Sequence, residues 1–149
     1  MASQPAKRIR GHVVVGVDGS GPSLEALRWA VRIAPVVDGA IEAVTTWEIP
    51  SDYGWTTDLG DWQPDVDAKR VLDQALDAVF GEQRPPGLVA TVREGHASTV
   101  LLEVSKDADL LIVGSRGHGG FAGLLLGSVS AAVAAHAHCP VLVVHDTPA

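Results

Sequence analysis

GSRGHGGFAGLLLGSVS, Gly114 to Ser130, is the stretch on which the reading of this chain turns. It follows the apolar run Leu110-Leu111-Ile112-Val113, short and branched enough for a buried strand. It leads into a helix-compatible pattern that opens at Gly127-Ser128 and continues through Val129, Ala132, Val133 and His136. Connections inside α/β units usually take ~2–6 residues, so a glycine-dominated link of about a dozen points to function. Glycine lets backbone N–H groups come close to a ligand. The helix start adds unpaired N–H groups and the positive end of its dipole. Both favour an anion, so the stretch reads as a phosphate cradle built from Gly114, Ser115, Arg116, Gly117, His118, Gly119, Gly120, Gly127, Ser128, Val129 and Ser130.

Outward from this loop, apolar runs and helical stripes alternate along the chain. His12–Val17 is a first buried strand, ended by Asp18-Gly19-Ser20-Gly21-Pro22. A helix follows, with Ser20 or Gly21 as cap, Pro22 in its first turn, and Leu24, Leu27, Val31 and Ala34 on one face. Asp38-Gly39 turns the chain into a second strand, Ile41–Thr46. A helix resumes near Asp65, with Val66, Leu72, Ala75, Leu76, Val79 and Phe80 as its apolar face, and Gly81 and Pro85-Pro86-Gly87 break it. Leu88–Arg93 is a third strand, Ser98–Lys106 a helix, Leu110–Val113 the fourth strand and Val141–Val144 the fifth. Between the second strand and its helix lies an aromatic and acidic segment, Trp47 to Pro64, with no Lys or Arg. It reads either as a mobile surface loop or as a lid or partner surface beside a binding pocket.

Five strands alternating with four helices give an α/β fold: an open, predominantly parallel sheet with helices on both faces. Ligands bind such sheets beyond the carboxyl ends of the strands, where the strand order reverses. Order 2-1-3-4-5 would place the chemistry at Glu94-Gly95-His96. Order 3-2-1-4-5 places it after strands 1 and 4, the two loops richest in glycine and polar residues, and is the expected order. Residues 1–10 read as a flexible tail and residues 11–146 as a single domain, since 149 residues suit one core.

Composition excludes several classes. A net charge of −7 argues against general nucleic-acid binding, which needs a basic face. No apolar run reaches membrane-spanning length, and MASQPAKRIR has no apolar core behind its basic residues, so a cytoplasmic location is expected. One cysteine, Cys139, allows no internal disulfide. The six histidines show no three-ligand zinc spacing, and His136 and His138 near a helix end suit capping or dipole compensation. Gly117-His118-Gly119-Gly120-Phe121-Ala122 fits G-x-G-x-x-A. It follows the fourth strand, however, and lacks the acidic partner about 20 residues on that a dinucleotide site needs. A G-x-x-x-x-G-K-[ST] loop is absent.

The decisive spacing is Gly114-x2-Gly117-x9-Gly127-Ser128. With Val13-Val14-Val15-Gly16-Val17-Asp18-Gly19-Ser20 at one end and His138-Cys139-Pro140-Val141-Leu142-Val143-Val144 at the other, the chain resembles the universal stress protein family, specifically its ATP-binding branch. The resemblance covers nearly the whole chain and implies a Rossmann-like fold of the adenine nucleotide α-hydrolase type. Carried over by position, it implies Asp18 as the ribose-hydroxyl acceptor and Thr46 as the backbone contact to adenine, with Gly16 giving room beside the base. Gly114 and Gly117 would lie against ribose and the first phosphates, and Gly127, Ser128, Val129 and Ser130 would hold the outer phosphates. Asp18 also suits a plain turn residue and Ser128 a plain N-cap. Some relatives carry a basic residue near the position of Leu124. Here Arg116 is the only fixed cation in the loop, and it points either to phosphate or to solvent.

The expected function is therefore ATP binding, with or without Mg, in a nucleotide-dependent regulatory or stress-response role. Slow Mg-dependent hydrolysis, or binding of AMP or a cyclic nucleotide, is the alternative. No catalytic base is assigned. In the expected order Val141–Val144 is an apolar edge strand, which invites a second copy of the chain and implies a homodimer.

Overall fold

Runs of branched residues covered on both faces become parallel strands, and this chain has them where helices can cover them. The computed structural model describes residues 11–49, 60–117 and 126–146. Its elements are β1 (Gly11–Gly16), α1 (Gly21–Ile33), β2 (Gly39–Trp47), α2 (Pro64–Phe80), β3 (Val89–Glu94), α3 (Ala97–Ser105), β4 (Leu110–Gly114), α4 (Ser128–His136) and β5 (Val141–Val144). They form one sheet of order β3-β2-β1-β4-β5 with every neighbouring pair parallel. Because β1 lies between β2 and β4, the 2-1-3-4-5 alternative is excluded. The expected tail, residues 1–10, and most of the acidic aromatic segment lie outside the described residues.

The strand period of two divides the core. Val13 and Val15 face one side, packing with Leu27 of α1 and Leu72 and Leu76 of α2. Val14 faces the other, with Leu101 and Val104 of α3 and Val133 of α4. All three valines are fully buried, as the centre of a covered sheet requires. On the α3 side, Glu42 ties three strands together. It meets His12 Nε2 at 2.9 Å and accepts from Thr91 Oγ1 at 2.7 Å.

Two helical faces differ from expectation. α1 buries Ser23, Ala26, Leu27 and Ala30, whereas Val31 is 37% exposed. Small residues let this helix approach the sheet, and that places the larger Val31 on the flank. α2 buries Pro64, Ala68, Leu72, Ala75 and Leu76, and Val66 lies on the opposite face at 45% exposure. Strand limits move by a residue or two. β1 begins at Gly11, and Val17 lies beyond its end, although its N–H still donates to Val44 O at 2.8 Å. The turns at Asp38 (φ 52°) and Gly81 (φ 60°) use left-handed backbone, where Asp and Gly are tolerated.

Candidate functional site

α1 and α4 lie on opposite faces of the sheet, so the chain leaves the carboxyl ends of the neighbouring strands β1 and β4 in opposite directions. A crevice opens where they part. A cavity of about 810 Å³ fills it. Among the expected site residues, Gly16, Asp18, Thr46, Gly114, Arg116 and Gly117 line this cavity. Gly127, Ser128, Val129 and Ser130 line it as well. Ser115 is buried behind the wall. His118, Gly119 and Gly120 lie outside the described residues, as does Leu124.

Asp18 sits just past β1. Its Oδ1 accepts from the Ser20 N–H at 2.9 Å and from the Ser20 hydroxyl, closing an Asx turn. Ser20 is thus the N-cap of α1 by position, but its hydroxyl serves Asp18 instead of the helix. Oδ2 of Asp18 faces Gly117, where an added Cβ would collide with it. One oxygen of the carboxylate thus closes the turn while the other lies against Gly117. Asp18 joins the first loop to the glycine loop.

The motif glycines have different physical reasons. A Cβ on Gly114 would stand 2.6 Å from Pro22 Cβ and 2.9 Å from Ser23 N, so glycine there lets α1 pack on β4. A Cβ on Gly16 would lie 3.0 Å from Leu101 Cδ1, so that glycine makes room for Leu101, itself a cavity wall. Gly127 has ordinary backbone angles, φ −72° and ψ 170°, and the nearest described atom to an added Cβ is 3.4 Å away. Among the described residues, nothing in the packing requires glycine at 127.

The loop between them is clasped at its base. Ser115 donates its N–H to Val144 O at 2.7 Å, and its carbonyl accepts from Gly127 N at 2.7 Å and Ser130 Oγ at 2.7 Å. Ser130 therefore spends its hydroxyl proton on the clasp and offers the cavity only its backbone. Gly127, not Ser128, is the N-cap of α4, and no side chain among the described residues caps that helix. Ser128 occupies the first helical position. The early N–H groups of α4, orphaned by helix geometry, are thus presented at the cavity wall.

Residues 10–145 match the model of the universal stress protein family. The chain belongs to that family. One relative is the universal stress protein Rv2623 of Mycobacterium tuberculosis (strain ATCC 25618 / H37Rv). It is 37% identical over 145 residues, covering 90% of this chain and 47% of the relative. The chain thus spans about half the length of the curated relatives it matches. A solved universal stress protein in complex with cAMP is 30% identical, with a TM-score of 0.67 over 93% of this chain and 98% of that one. The universal stress protein from Archaeoglobus fulgidus in complex with dAMP shares the fold. Its TM-score is 0.63 at 22% identity, covering 91% of this chain and 98% of that one.

Several walls of this universal stress protein's cavity were not among the expected site residues. Ser23 Oγ donates to Ser20 O at 2.9 Å and accepts from the Asp18 N–H at 3.4 Å, bracing the Asp18 turn. Trp47, Glu48, Trp62, Asp67 and Ala68 form the end toward α2. The aromatic residues before α2 were a visible signal. Asp67 and Ala68 were hidden because a sequence does not show which turn of a helix reaches a cleft. Among the described residues the charged walls are Asp18, Glu48 and Asp67 against Arg116, which is exposed. No cluster of three His, Cys, Asp or Glu side chains suited to a metal occurs among the described residues. Cys139 is partly buried, packing against the core cluster on the α3 and α4 side, and does not line the cavity. Burial and then the Asp109 charge push its thiol above the ordinary 9.0, while a backbone hydrogen bond from Leu111 opposes them.

Proposed function

We propose that the cavity binds an adenine nucleotide, with the phosphates on the N-terminus of α4 and the ribose near Asp18. The observation that carries this is Gly127: among the described residues nothing in its packing requires glycine and no side chain caps the helix it starts, which opens on the cavity. An anion approaching those N–H groups supplies both the missing cap and the reason for the missing side chain. Gly114-x2-Gly117-x9-Gly127-Ser128 favours ATP, in a regulatory role where occupancy alters shape or partners. Among the described residues the carboxylates form no metal cluster, and a magnesium ion would be held mainly by phosphate oxygens.

A second reading, AMP or a cyclic nucleotide, is favoured by charge. Among the described residues three carboxylates line the cavity against one exposed Arg, which offsets the charge of a triphosphate poorly, and a relative 30% identical is solved with cAMP. Mass spectrometry of nucleotide released on denaturing the purified protein, followed by calorimetry with ATP, Mg-ATP, AMP and cAMP, separates the two. Stoichiometric ATP supports the first reading, and a preference for AMP or cAMP the second. No binding of any of the four rejects both. No described helix is long and apolar enough to cross a membrane, and we place the protein in the cytoplasm as a homodimer paired through β5.

A further inference from the structure

The cavity has two chemically unlike ends. One carries the N-terminus of α4 and Arg116, and the other carries Glu48 and Asp67 beside Trp47 and Trp62. A phosphate at the second end would face carboxylates instead of a helix dipole, so a ligand with one anionic and one neutral end enters in a single orientation. Its neutral end is delivered to the tryptophans. Trp62 is half-buried, and its sole polar atom, Nε1, donates to Asp67 Oδ2 at 3.2 Å. Asp67 Oδ1 in turn meets Arg70 Nη1 at 3.2 Å. With its N–H engaged in this way, Trp62 lines the cavity as an apolar ring and not as a donor. Pro64, in the first turn of α2, fixes the backbone two residues on.

We infer that Trp62 is the wall on which the nucleobase stacks, and that Asp67 is a positioning residue that sets the plane of the indole. The inference rests on the nucleotide reading above. Trp47 is a strand residue at the end of β2 and closes the same compartment from the sheet side. Stacking of this kind is tolerant of which base is present, because every base has a π face. Trp62 therefore contributes affinity for a base as such, leaving the choice among bases to backbone groups near Thr46.

The test is competition against labelled AMP by AMP and by ribose 5-phosphate, which lacks the base. It uses the wild-type chain and the variants W62A, W62L, W62F, D67A and D67N. W62A is expected to weaken AMP about tenfold or more, the usual scale for removing a stacking partner, while ribose 5-phosphate is unchanged. W62F restores most of the loss. W62L, which keeps apolar bulk without a ring, does not, and this pair decides the matter if W62A fails to fold. D67A weakens AMP by a smaller factor, and D67N, whose carbonyl still accepts the indole N–H, recovers it. Equal AMP affinity in wild type, W62L and W62A, or equal losses for AMP and ribose 5-phosphate, overturns the inference and leaves the nucleotide reading standing. A wild-type chain that binds no adenine nucleotide overturns both.

Discussion

At the scale of single residues, the motif glycines part company. Gly114 is glycine for packing, and Gly114→Ala should destabilise the fold by about 1–3 kcal/mol, the range for an overpacked contact. Gly127 is the opposite case. Asp is among the best N-cap residues and complements the helix dipole, so Gly127→Asp should stabilise the ligand-free protein by roughly 0.3–1 kcal/mol. The same carboxylate would meet the incoming phosphate, and nucleotide affinity should fall by about tenfold or more. Urea titration and calorimetry on the same variant check both signs. A Gly127→Asp protein that binds nucleotide as well as wild type would remove α4 from the site. Cys139 gives a pH expectation. Its thiol is held protonated in the folded chain, so that contribution to stability is complete below 9.0 and is lost as pH rises toward the raised folded value. Comparing urea midpoints of wild type and Cys139→Ala between pH 8 and pH 10.5, test values chosen to straddle about 9, should show the wild type losing its relative advantage at the upper end. A difference independent of pH would contradict it.

At the scale of elements, the strands were legible because a covered parallel strand needs an unbroken apolar run, and Val13–Val15, Leu111–Val113 and Val141–Val144 supply one. Helix faces were less legible. Val31 and Val66 look like core residues by hydropathy, yet α1 packs through Ala26 and Ala30, whose value is smallness, not hydrophobicity. The opening of α4 was placed at Ser128 from the glycine pattern, but the clasp of Ser130 on Ser115 was not legible, since a hydroxyl's partner lies across the loop. Among the described residues β5 pairs with β4 alone, and a second copy is the proposed partner of its other edge. Sedimentation at tens of micromolar, an order-of-magnitude concentration favouring specific association, should give a dimer. A monomer at that concentration would leave the edge without its proposed partner.

At the scale of the whole molecule, sheet order and site location are one fact. Placing β1 between β2 and β4 brings the loops after β1 and β4 together, although Asp18 and Gly117 lie far apart in the chain. That much could be argued from glycine content alone. The wall formed by Trp62, Asp67 and Ala68 could not, because it depends on how deeply the first turn of α2 enters the cleft. The chain spans about half of its curated relatives, and the longer proteins carry as much chain again. The proposed site depends above all on a nucleotide phosphate sitting on the N-terminus of α4. The most direct measurement is backbone amide chemical shifts in ¹⁵N-labelled protein titrated with AMP and then Mg-ATP. Saturating shifts are expected at Ser128, Val129 and Ser130, with smaller ones at Asp18 and Gly117. Amides of Ser128–Ser130 that stay unmoved at nucleotide saturation would contradict the account.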